Sequence, residues 1–165
     1  MIRKRHVITL TEEDIDRAAR VGLLRMKESI RKGHKDRKQR KSEAERLGVD
    51  IIGAFGELSM CKIMGWEWSG SVGSYKGPDA KQNIEIRTRT NWNHDLIVKP
   101  YDNMDHVFVL VIGSAPTYEA VGWITGREVE AKFEIKDPGG GFSEPCFFVP
   151  QSCLHPIDSI YSVMT

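Results

Sequence analysis

The sequence predicts an α+β domain, a central mixed β-sheet flanked by helices, and three observations carry that prediction. Apolar residues recur every three or four positions through two early segments, four strand-like runs follow, and a short helical segment and a last extended piece close the chain. A length of 165 residues suits one compact domain. A hydrophobic share of 40% and a charged share of 28% are ordinary for a globular protein, which excludes wholesale disorder and a collagen-like fibre.

Taken in order, residues 6–10 read as a short extended lead-in. Thr11-Glu12-Glu13-Asp14 reads as a helix start, with Thr11 as N-cap, Asp14 at the third helical position, and acids facing the positive helix end. Ile15, Ala18, Ala19, Leu23, Met26 and Ile30 mark one buried face, and Gly33 is the stop. Residues 31–41 hold seven basic residues, one acid and no apolar side chain, the composition of a mobile basic loop. Ser42-Glu43-Ala44-Glu45 caps a further helical segment, and a more apolar helix runs from about Val49 to Met64, ending at Gly65. Gly53 and Gly56 each cost about 1 kcal/mol relative to alanine inside a helix, so both are expected to pack closely against another backbone.

From Trp66 the pattern changes. Gly70, Gly73, Gly77 and Pro78 punctuate a loop, and strands are predicted at Ile84–Thr90, Leu96–Lys99, Val107–Ile112 and Glu119–Ile124. Val107–Ile112 is apolar enough to be a central buried strand. A short helix follows Thr125-Gly126-Arg127-Glu128, a glycine-rich loop follows Asp137, and Cys146–Pro150 returns as an edge segment.

The longest apolar run is six residues, far short of the roughly 18 needed to span a bilayer, and no apolar stretch follows the basic N-terminus as in a secretory signal. No membrane role is expected. Cys61, Cys146 and Cys153 are too few for a disulfide framework, which fits a reducing, cytoplasmic setting.

The formal net charge of +1 conceals a division. Residues 1–42 carry 14 Lys and Arg against 6 Asp and Glu, whereas residues 43–165 carry 10 against 17. The chain is therefore read as a basic N-terminal helix and arm, 1–42, on an acidic body, 43–165. A polyanion is the partner such an arm suits, and a cation suits the body; the bland alternative is a solvated helix face.

Four side chains stand out chemically. Glu57 interrupts an apolar helix, and a carboxylate there is costly unless it is paired or binds a cation. Asp79 follows a Gly-Pro turn. Glu85 and Arg87 are two apart on one strand, so they leave the same face of the sheet. Converging acids are what Mg²⁺ needs, since it takes hard oxygen ligands from one or two carboxylates, waters and phosphate oxygens. A cation beside them can steady the charge on a phosphate or orient an attacking water.

The helix Gly-Ala-Phe-Gly-Glu57-Leu-Ser, the turn Pro78-Asp79 and the strand Ile84-Glu85-Ile86-Arg87-Thr88 resemble the core of the PD-(D/E)XK nuclease superfamily. The likeness spans about residues 49–112, with Thr125–Lys132 as the second helix. It is similar in particular to small phage and bacterial members that read Glu-x-Arg on this strand. The resemblance implies a restriction-endonuclease-like fold and Mg²⁺- or Mn²⁺-dependent hydrolysis of DNA phosphodiesters. Glu57, Asp79 and Glu85 would hold the metal, and Arg87 would stabilise the transition state or orient water. Members often dimerise to cut both strands, so a homodimer is compatible with it. Arg31, Lys32, Lys35, Arg37, Lys38, Arg40 and Lys41 would supply sequence-independent affinity for phosphate.

The superfamily's lysine is replaced by Arg87, and arginine stays protonated where lysine can lose its proton. Lys99 and Lys81 are substitutes from neighbouring positions. The replacement feeds a second reading: a catalytically weak or inactive nuclease-fold protein that binds nucleic acid or regulates a partner. A third, a protein-binding module of unrelated α+β fold, makes the four residues a coincidence. Cys146, Cys153 and His155 match no zinc spacing, and Gly139-Gly140-Gly141 lacks the Lys-Ser/Thr of a phosphate loop. Trp92, in a polar turn, is either a packed aromatic or a stacking surface for a base.

Overall fold

The computed structural model describes residues 3–33, 42–72, 83–139 and 144–164. Strand β1 (His6–Thr9) leads into helix α1 (Glu12–Arg31), and helix α2 (Glu43–Met64) follows. Strands β2 (Ile84–Arg89), β3 (Leu96–Val98), β4 (Val107–Ser114) and β5 (Thr117–Thr125), helix α3 (Gly126–Lys132) and strand β6 (Phe147–Val149) complete the order, with two 3₁₀ segments, Gln151–Cys153 and Ile157–Val163, at the end. The architecture is mixed α+β.

Each helix begins with a reciprocal cap, which satisfies two backbone N–H groups that have no partner within the helix. Thr11 and Asp14 close α1, Ser42 and Glu45 close α2, and Thr125 and Glu128 close α3. The cap at Ser42 opens the same helix that ends at Gly65, so the two predicted segments are one continuous helix.

Four strands form one sheet in the order β1-β5-β4-β2. β2 runs parallel to β4, with Ile84 opposite Val107, while β4–β5 and β5–β1 are antiparallel. The sheet is mixed, as expected, and β4 is buried from Val107 to Ile112. One face packs on the two long helices, where Ala54, Phe55 and Leu58 meet Ile84, Ile86, Val109 and Val111. The other face carries Phe108, Leu110 and Ile112, covered by Val129 of α3 and by the small antiparallel pair β3–β6 through Leu96, Val98 and Val149. Trp123 ties down the C-terminal segment by donating its indole N–H to the Pro156 carbonyl at 2.9 Å.

The basic N-terminal stretch is built into the fold: β1 edges the sheet, and α1 lies along α2. A helix of that length stays folded because it buries a face, and the buried residues are Ala18 and Gly22, with Ile15, Ala19 and Val21 packed beside them. Leu23 and Ile30, expected on that face, are exposed. The close approaches also differ. A Cβ on Gly56 would strike the Thr88 side chain on β2, a close approach to a side chain and not to the expected backbone, and one on Gly53 would meet none of the described residues within 4 Å. Where α1 meets α2, Gly22 lies tight against the backbone of Ile51. Among the described residues, no helix is long and apolar enough to cross a membrane.

Candidate functional site

Glu57 is 5% exposed, and its carboxylate is fully engaged. Arg25 of α1 donates from Nη1 to Oε1 at 2.6 Å and from Nη2 to Oε2 at 2.8 Å, a two-pronged pair between flat groups of matching shape. The Trp68 indole N–H adds a bond to Oε2 at 3.1 Å. Arg25 is held in turn by donating Nε to the Ser71 carbonyl at 3.0 Å. The buried acid thus has the partner that its desolvation demands, and that partner is a guanidinium.

Glu85 and Arg87 leave β2 on the opposite side of the sheet. Ile84, Ile86 and Thr88 face α2, so the alternation of the strand turns Glu85 and Arg87 away from it. The Arg87 guanidinium lies 5.3 Å from the ring centre of Phe108, a residue of the second core. Glu57 and Glu85 therefore do not approach one point, which corrects the expected convergence. The physical reason is the strand's two-residue period, which sends Glu85 away from the face that receives α2.

Around Glu85 a different cluster is assembled. Arg87 Nη1 donates to Glu85 Oε2 at 3.4 Å, and Arg87 Nη2 forms an ion pair with Asp102 Oδ2 at 2.9 Å. Asp102 sits in the turn after β3, where Oδ2 also accepts from the Lys99 backbone N–H at 2.7 Å. His106 Nδ1 lies 2.9 Å from Glu85 Oε1, and its Nε2 lies 3.2 Å from Asn103 Nδ2. A proton on Nδ1 satisfies both contacts, donating to Glu85 and leaving Nε2 to accept from the Asn103 amide. Between 14% and 25% of each of these four charged or titratable side chains is exposed, so the cluster is sheltered but reachable.

Asp102 and His106 were missed in the sequence because neither lies in a motif. The available signal was placement: His106 precedes the apolar run of β4, and parallel pairing of β2 with β4 sets it beside Glu85. Lys99 joins the cluster through its backbone, while its ammonium sits 5.5 Å from the centre of the Tyr101 ring. Pro78-Asp79 and Lys81 lie outside the described residues, as do Lys35, Arg37, Lys38, Arg40 and Lys41. Arg31 and Lys32, the described part of the basic arm, both pair with Glu28, at 2.7 and 3.3 Å. Arg31, together with Lys32, holds the Glu28 carboxyl down at about 2.

For a divalent metal, the donors divide. Glu57 does not fit, since its oxygens serve Arg25 and Trp68. Glu85 is a partly exposed carboxylate of the kind that such an ion uses, but the cation between it and Asp102 is already the Arg87 guanidinium. No group of three or more His, Cys, Asp or Glu side chains suited to a metal occurs among the described residues. Cys61 and Cys146 are buried, Cys153 is exposed, and all three are free thiols. His155 pairs with Glu128 at 2.8 Å.

No protein-family model matches the chain, and no curated protein or solved structure matches it.

Proposed function

We propose that the chain is a nuclease-type protein of restriction-endonuclease-like fold that acts on DNA phosphodiesters. The observation carrying this reading is the Glu85–Arg87 pair, an acid and a guanidinium side by side on one strand face, braced by His106 and Asp102. Arg87 would bind and orient a phosphate, because its planar fork matches two phosphate oxygens and keeps its charge at any working pH. His106, bonded to Glu85 Oε1, would fix the direction in which the carboxylate points. Asp79 and Glu85 would hold Mg²⁺ or Mn²⁺, which when bound would polarise the phosphate and generate hydroxide from water. Glu57 has no part in that set. It joins the first and second helices behind the sheet. Basic residues of the 31–41 stretch would supply salt-sensitive affinity for the backbone.

A second reading is favoured by one specific observation. Arg87 is bonded to carboxylates on two sides, which suits a guanidinium that organises structure and not one waiting for substrate. On that reading the protein binds nucleic acid, or regulates a partner, without cutting.

The deciding experiment is incubation of the full chain with labelled duplex, single-stranded and branched DNA in Mg²⁺ or Mn²⁺, beside Asp79→Ala and Glu85→Gln. Cleavage lost in both variants supports the nuclease reading. Cleavage that survives both overturns the site, and binding without cleavage in the parent chain selects the second reading.

A further inference from the structure

Trp92 is the feature that neither core nor candidate site absorbs. It lies in the loop between β2 and β3 with 78% of its surface exposed. Its backbone is nonetheless clamped. Gln151 Nε2 donates to the Trp92 carbonyl at 2.7 Å and to the His94 carbonyl at 2.9 Å, and the His94 N–H closes a turn on the Asn91 carbonyl at 3.1 Å. A large aromatic held outward from a fixed backbone gives up the burial that normally stabilises it, yet it loses little freedom on meeting a flat partner.

Beside the indole is a shallow cavity of about 410 Å³. Its apolar lining includes Ile112 and Tyr118, and Thr90 and Asn91 offer polar groups. Arg5 lines it as well, its guanidinium held in place by Glu119 at 3.0 and 2.6 Å. Arg5 is shared with a second cavity, about 260 Å³, which Arg3, Lys4 and Gln151 also line. The Gln151 that clamps Trp92 therefore adjoins three consecutive basic residues. The counter-charges facing them are Glu119 and Asp158, the latter 4.0 Å from Lys4 in an exposed pair that water largely screens.

We infer that Trp92 and the Arg3-Lys4-Arg5 strip form a subsite for single-stranded nucleic acid, in which an unpaired base stacks on the indole and the adjoining phosphates meet the basic strip. The chemistry selects that ligand: an exposed π-face beside a row of cations suits a polyanion that carries flat apolar rings, and in a duplex those rings are hidden. The inference rests on the reading that the protein's partner is nucleic acid, but not on cleavage.

The test is titration of the full chain with a short oligo(dT) and with a blunt duplex of equal length, followed by tryptophan fluorescence and by anisotropy of the labelled DNA. Oligo(dT) is expected to quench the emission. Trp92→Ala is expected to weaken single-strand binding roughly 5- to 100-fold with duplex binding unchanged, and Trp92→Phe to retain most of it. Arg5→Ala should lower the salt slope of single-strand binding by about 1. Trp92→Ala binding oligo(dT) as tightly as the parent, or losing duplex and single strand equally, overturns the subsite while leaving a nucleic-acid partner standing. A parent chain that binds neither DNA overturns both. Capture of a peptide through Trp92 with no oligo(dT) binding reassigns the surface to protein.

Discussion

Arg25 and Glu57 join α1 to α2 through two parallel hydrogen bonds of 2.6 and 2.8 Å, behind the sheet and away from the Glu85 cluster. The motif residue on the second helix is thereby a structural acid in this arrangement. Removing either partner leaves a charge buried without its counter-ion. Arg25→Met or Glu57→Leu alone is expected to destabilise the fold by about 3–5 kcal/mol in urea unfolding. The double variant should lose much less than the sum of the two single losses, since no charge is left buried alone and only the Trp68 indole N–H and the Ser71 carbonyl give up a partner. Additive losses would show that the pair is not the unit of stability.

The approach of α2 to the sheet gives a second prediction. A methyl on Gly56 would strike Thr88, whose buried hydroxyl has no hydrogen-bond partner among the described residues. Gly56→Ala gains about 1 kcal/mol in helix propensity but overpacks a contact whose strain is worth about 1–3 kcal/mol. Net destabilisation is expected, with partial recovery in Gly56→Ala/Thr88→Ala, because removing the hydroxyl and methyl leaves only the Thr88 Cβ close by. Gly53→Ala, which meets none of the described residues within 4 Å, is expected to be neutral or stabilising.

These two glycines show what was legible and what was not. Helix existence, the succession of strands along the chain and the central burial of β4 followed from periodicity, which records what faces a core. Which glycine touches a strand does not, because it depends on the angle at which two elements cross. Glu57 is the same case at the site. An acid inside an apolar helix announces a cation, but the choice between a metal and Arg25 depends on α1 lying against α2. The Glu85–Arg87 pairing followed from strand period alone, while Asp102 and His106 arrive from turns whose path no local pattern encodes.

Acid sensitivity is predicted at the cap of α3. Burial pushes the Glu128 carboxyl up, but hydrogen bonds from His155, from the Thr125 backbone and hydroxyl, and from Lys132 outweigh it and bring it down to about 2. A lowered folded-state value means stability that is fully present above the ordinary value of 4.5 and is lost as pH falls from there through about 2. With a quarter of the side chain exposed, water reduces the contribution to about 1–2 kcal/mol. Thermal melts of Glu128→Gln should lie below the parent at pH 6 and converge with it near pH 2. A constant gap across that range would contradict the assignment.

Arg87 offers the sharpest test of the proposed activity. Its two amino groups reach two acids, Glu85 at 3.4 Å and Asp102 at 2.9 Å, a span that the single ammonium of lysine has no fork to cover. Arg87→Lys should therefore release one acid, at a cost to stability of no more than about 1 kcal/mol, since the pair is partly exposed. If the group at this position only anchors phosphate, Arg87→Lys keeps most of the cleavage rate. If it must also pass or hold a proton, the lysine variant exceeds the parent by on the order of 10-fold or more and acquires a basic limb in its pH–rate profile that arginine cannot give. Arg87→Ala should lose about 10²- to 10³-fold in either case, as expected when a group that stabilises developing charge is deleted. An alanine variant that cuts as fast as the parent would remove Arg87 from the machinery and leave it as the brace between Glu85 and Asp102.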